Sequence, residues 1–92
     1  MNEWNVPDFR KVDSMRREPE FFGDQELVLV HMARRLKDAL AVEKLLNESE
    51  LDYALETGPY LSGLLFRTTK TGVYFYVKPA DEERARSVLL KR

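Results

Sequence analysis

From residue 26 onward the spacing of apolar residues changes period several times, and that succession restricts the fold more than any other feature of the chain. Residues 26–33 read Glu-Leu-Val-Leu-Val-His-Met-Ala. The continuous apolar run and its β-branching predict a strand buried on both faces or central in a sheet. Over residues 36–49, Leu36, Ala39, Val42, Leu45 and Leu46 recur at helical steps, while Lys37, Lys44 and Glu48 face water. Residues 51–56 then alternate, with Leu51, Tyr53 and Leu55 on one face and Asp52, Ala54 and Glu56 on the other, as a half-buried strand does.

Thr57-Gly58-Pro59 ends that strand, and residues 58–63 read as a loop holding Tyr60 and Leu61. Residues 64–67 form an optional short strand and residues 68–72 a turn. In the strand over 73–78, Val73, Phe75 and Val77 share a face and Tyr74 and Tyr76 lie opposite. Pro79-Ala80-Asp81 opens the last helix. Asp81 is its N-cap, Glu82 and Glu83 suit the first turn, and Ala85, Val88 and Leu89 form its buried side. Lys91 and Arg92 complement the dipole at its end. The order is β-α-β-(β)-β-α. Two helices on one face of a small antiparallel sheet make a two-layer α+β sandwich. The pattern is ferredoxin-like, with the usual final strand absent or supplied by something else.

With 92 residues the chain holds one domain, over residues 26–92, preceded by an arm over residues 1–25. No apolar run approaches the ~20 residues that cross a bilayer. Met1-Asn2-Glu3-Trp4 lacks the basic and apolar regions of a signal peptide, so a cytoplasmic protein is expected. The absence of cysteine removes disulfides, thiolate zinc sites and cysteine nucleophiles. A net charge of −1 argues against a general nucleic-acid binder.

The first helix carries Asp38-Ala39, five residues, then Leu45-Leu46, with Glu50-Leu51 before the next strand. The chain closes with a strand over 73–77 followed by Pro79-Ala80-Asp81-Glu82-Glu83-Arg84-Ala85. Over residues 27–90 this resembles a family of small prokaryotic domains assigned to signal transduction, whose fold is similar to that of the PII nitrogen regulators. The resemblance implies a PII-like fold, and it brings no catalytic or ligand residues. At one position the chain departs from the family. Glycine usually closes the first helix there, and this chain has Glu50, which meets a steric cost if the backbone is left-handed.

No catalytic, cofactor-binding or metal-ligating constellation stands out. His31 is the only histidine and has no partners at ligand spacing, so it reads as a packed residue with one hydrogen bond. The serines lack a nucleophile elbow or base, and no glycine-rich phosphate loop is present. An enzyme is not expected. Trp4, Phe9, Phe21 and Phe22 give the arm an aromatic content unlike that of a disordered tail. Pro7-Asp8 could open a short helix there, with Phe9, Val12 and Met15 on one side. The arm is expected to dock on its own sheet or on a second subunit. With Tyr74 and Tyr76, these four aromatics are the expected interface residues. By resemblance to the PII loop, Tyr60, Leu61 and Arg67 are the candidates for effector or partner contacts.

The leading expectation is a non-enzymatic regulatory or interaction domain acting through a homo-oligomer or a protein partner. The alternative is a small-molecule or nucleotide sensor using residues 58–72. A single-stranded nucleic-acid binder using Tyr74 and Tyr76 ranks last, because the first strand lacks a second aromatic platform.

Overall fold

The computed structural model describes residues 15–63 and 68–91. They form a small α+β fold: strand β1 (Val28–Ala33), helix α1 (Leu36–Glu48), strand β2 (Ala54–Ser62), strand β3 (Thr68–Val77) and helix α2 (Glu82–Leu89). Short 3-10 turns at Pro19–Phe22 and Pro79–Asp81 complete the described elements. The strands make an antiparallel sheet in the order β1-β3-β2. No helix among the described residues is long and apolar enough to cross a membrane.

The core lies between the sheet and the helices. Ala39, Val42 and Leu46 of α1 and Ala85 and Leu89 of α2 cluster with Ala33, Leu51, Tyr53, Phe75 and Val77. The alternation of β3 does what the sequence predicts: Phe75 and Val77 are fully covered, and Tyr74 and Tyr76 emerge on the opposite face, half-buried. Leu36, assigned to the apolar stripe of α1, is 43% exposed instead, because the packed stripe begins one turn later at Ala39.

Helix α1 ends in a Schellman turn. The Leu51 N–H reaches the Leu46 carbonyl at 3.0 Å and the Glu50 N–H reaches the Asn47 carbonyl at 3.1 Å. Glu50 therefore holds φ +56°, the left-handed conformation that favours glycine. The strain is tolerated because the turn delivers Leu51 into the core beside Leu46.

Three expectations need correction. Strand β1 is not central: it lies at the edge of the described sheet, and Leu29 is 43% exposed. A bulge between Leu29 and His31 breaks its alternation, so residues on both faces are partly covered and the run stays apolar throughout. Second, the stretch read as loop and turn is strand. The β2–β3 ladder continues through Gly58↔Gly72 and Tyr60↔Lys70 to Ser62↔Thr68. Third, Asp81 precedes α2 but makes no side-chain cap; its carboxylate lies 3.7 Å from Lys78 Nζ. The proposed strand over 64–67, Arg67, Arg92, and the arm helix with Trp4 and Phe9 lie outside the described residues.

Candidate functional site

The helices cover one face of the sheet as far as Val73, and the opposite face carries the most distinctive surface. Register and alternation place Leu29 and Met32 of β1 on it, with Lys70, Gly72, Tyr74 and Tyr76 of β3 and Ala54, Glu56, Gly58 and Tyr60 of β2. The glycines are there because tyrosine rings lie over them. A Cβ on Gly58 would meet the Tyr74 ring at 3.3 Å, and one on Gly72 would meet Met32 Sδ at 2.9 Å and the Tyr60 ring at 3.1 Å. Each ring repacks the gap its neighbouring glycine leaves, which keeps these residues in a sheet. The Tyr74 hydroxyl donates to the Pro59 carbonyl at 2.6 Å, and the Tyr76 hydroxyl to Glu56 Oε1 at 3.2 Å. Burial, then the Glu56 carboxylate and the nearby Tyr74, raises the Tyr76 pKa above its ordinary value.

Both ends of this face are charged, with opposite signs. At the hairpin end stand Lys70 and Arg34, whose guanidinium carbon lies 5.2 Å from the centre of the Tyr60 ring. Toward the other end lie Glu56 and Glu18, which line an open hollow of about 540 Å³ with Pro19, Leu27, Ala54 and Tyr76.

The described part of the arm explains how Glu18 and Pro19 come to lie there. Residues 15–17 run parallel to the start of β2: Tyr53 N–H donates to the Met15 carbonyl at 3.1 Å and Arg17 N–H to the Tyr53 carbonyl at 2.7 Å. Three side-chain contacts fix that segment. Arg16 Nε meets Glu43 Oε2 at 3.0 Å, Arg17 Nε meets Asp52 Oδ1 at 2.8 Å, and Met15 N–H donates to Asn47 Oδ1 at 2.7 Å. Glu43 is only 4% exposed and also accepts from the Tyr53 hydroxyl at 2.6 Å, so its buried charge is met from two sides. The chain then turns through Pro19–Phe22. Phe22 is buried, and so is Ala54 on the sheet face away from the helices.

Among the expected interface residues, the structure brings Tyr74 and Tyr76 together on the open face. Phe22 is buried and Phe21 is 54% exposed, edge-on to it at 5.2 Å and under the Arg17 guanidinium at 4.8 Å. The two phenylalanines therefore play separate parts. Tyr60 belongs to the open face, whereas Leu61, 59% exposed, alternates to the other side of β2. His31 Nε2 lies 2.9 Å from Asp38 Oδ2 on the helix side, with its ring near Phe75. No group of three or more His, Asp or Glu able to hold a metal ion occurs among the described residues.

Sequence reasoning missed Glu43, because a glutamate at a helical step beside Val42 reads as solvent-facing. The signal was the pairing of two arginines in the arm with acids at 43 and 52, which only the fold brings together. No protein family, curated protein or solved structure matches the chain.

Proposed function

We propose that this protein is a non-enzymatic regulatory or interaction domain that works by docking its open sheet face against a protein surface. The observation that carries the reading is how little else the sheet offers a partner. On the β1 edge, the Leu29–His31 bulge distorts the ladder and Arg86 Nη2 holds the Leu29 carbonyl at 3.2 Å. On the β2 edge, Pro59 lacks an N–H and the arm occupies Tyr53. Bulges, proline and covering segments are the devices that prevent edge-to-edge pairing. The helix face is filled where α1 and α2 lie on it, and beyond them the hairpin exposes Leu61 with mostly polar neighbours. The open face remains, with half-buried tyrosines, Met32 and the exposed Leu29, a mixture suited to contact.

A ferredoxin-like, PII-like fold, which we propose for this chain, fits the same reading. In its support, the order β1-β3-β2 with helices after β1 and β3 is the one such a fold would have without its last strand. The resemblance to signal-transducing domains points to regulation.

Light scattering on a concentration series from micromolar to near-millimolar tests the reading. Self-association that Leu29→Glu abolishes, with an unchanged far-UV spectrum, is expected. Self-association that persists unchanged in Leu29→Glu overturns it.

The hollow supports a second reading, a small-molecule effector seated against Glu18, Pro19, Ala54 and Tyr76 at the arm end of the face. Its test is a thermal-shift panel of nucleotides and metabolites, in which no shift at millimolar ligand rejects it.

A further inference from the structure

We infer that the partner of the open face is a second copy of this chain, packed face to face with its strands antiparallel to those of the first. The inference rests on the docking reading above and adds the identity and orientation of the partner. Charge complementarity carries it. Lys70 and Arg34 stand at the hairpin end of the face, and Glu56 and Glu18 lie toward the arm end, where the cations Arg17 and Lys78 are both engaged by Asp52. A two-fold axis lying in the face and perpendicular to the strands sets the basic end of one copy over the acidic end of the other, twice per dimer. Strands stacked in the same direction would oppose like charges, which disfavours that arrangement. Between the charged ends the face offers Leu29, Met32, Tyr74 and Tyr76, a patch that can cover itself.

The size of the face sets the strength. Three strands of this length present roughly 500 Å² a side, at the low end of specific interfaces. The dimer is therefore weak and concentration-dependent, and it weakens further with salt because its charged pairs lie at the rim.

A charge swap tests the orientation. Lys70 and Glu18 are both exposed. They stand at opposite ends of the face, where roughly 20 Å of strand separates Lys70 from Tyr76, beyond the range of unscreened attraction within one chain. Lys70→Glu and Glu18→Lys are each expected to weaken dimerisation about tenfold by sedimentation equilibrium, because each places like charges at two symmetric contacts. The double variant is expected to return to the wild-type constant, since the reversed pairs meet again across the axis. Far-UV spectra and melting temperatures of the three variants establish that the monomer is intact.

A dimer that Leu29→Glu breaks, but in which the two charge changes add without rescue, overturns the antiparallel arrangement and leaves the docking face standing. A dimer indifferent to all these changes uses another surface and overturns both. A strict monomer at near-millimolar concentration overturns the second copy as partner, while docking against a different protein stands apart from that result.

Discussion

Strand β3 serves two layers at once, and alternate residues along it are held by different physics. Phe75 and Val77 point into the helices and are fully covered, in one core cluster with Val42, Leu46 and Ala85. Tyr74 and Tyr76 point the other way, half-covered, and their hydroxyls are tied to the neighbouring strand through Pro59 and Glu56. One face draws its stability from the area it removes from water. The other is kept ordered by local ring-on-glycine packing and two hydrogen bonds, at a cost of apolar surface left uncovered. A face built in the second way is rigid before any partner arrives, which is what a docking surface needs.

The largest test of this contrast is truncation on each side of the strand. Phe75→Ala empties a buried site in contact with Tyr53 and His31, and is expected to cost about 3–5 kcal/mol. Against a total stability of about 5–15 kcal/mol for a small domain, that leaves much of the chain unfolded at modest urea. Tyr74→Ala, one residue away, removes an exposed hydrogen bond and part of a ring contact, and is expected to cost about 1 kcal/mol. Urea denaturation of both variants measures the difference. Equal losses would show that the open face belongs to the core, and the distinction between the faces would fall.

A smaller effect tests whether the open face is interlocked by its glycines. In Gly72→Ala, the new Cβ would stand 2.9 Å from Met32 Sδ, 3.0 Å from the Ala33 carbonyl oxygen and 3.1 Å from the Tyr60 ring. The backbone oxygen cannot move aside as a side chain can. A loss of about 1–3 kcal/mol is expected in the same denaturation series. A stabilised Gly72→Ala would mean that strand entropy matters more here than the close approach.

These glycines also explain what the sequence showed and what it hid. The periods of α1 and α2 were legible because each helix buries one stripe against the sheet, and β1 was legible as an apolar run because both of its faces are partly covered. The sequence 57–60, Thr-Gly-Pro-Tyr, reads as a loop for sound local reasons, since glycine and proline punctuate chains. It is strand because Pro59 lies on an edge strand, where its missing N–H costs the ladder nothing, and because Tyr74 covers Gly58. Both reasons lie in a partner strand more than ten residues away, beyond any local pattern. Glu50 is the reverse case. Its conflict with a left-handed helix end is visible in the sequence, and the structure keeps it, because Leu51 must enter the core. The candidate site was half legible: alternation separated Tyr74 and Tyr76 from the core, but the latch of Arg16 and Arg17 on Glu43 and Asp52 needed the fold.

The smallest effect concerns pH, and it separates the two faces through the Tyr76 phenol. Burial and the Glu56 carboxylate raise the Tyr76 pKa, so the folded protein holds that phenolic proton more tightly than the unfolded chain does. Below the unfolded value, roughly pH 10, both states are protonated and the contribution is fully present. As pH rises, the unfolded chain ionises first and gains, so stability falls until the folded pKa is passed. Other tyrosines and lysines titrate in this range too, so the informative quantity is the difference between wild type and Tyr76→Phe. Phenylalanine keeps the ring and removes the proton. The wild-type stability is expected to fall more steeply than that of Tyr76→Phe between pH 9 and 11, in urea unfolding followed by circular dichroism. Phe75 and Val77 carry nothing that ionises, so this slope reports the open face alone. Parallel curves would mean that the Tyr76 hydroxyl is as well solvated in the folded protein as in the unfolded chain, and that the hydrogen bond to Glu56 does not hold this end of the face.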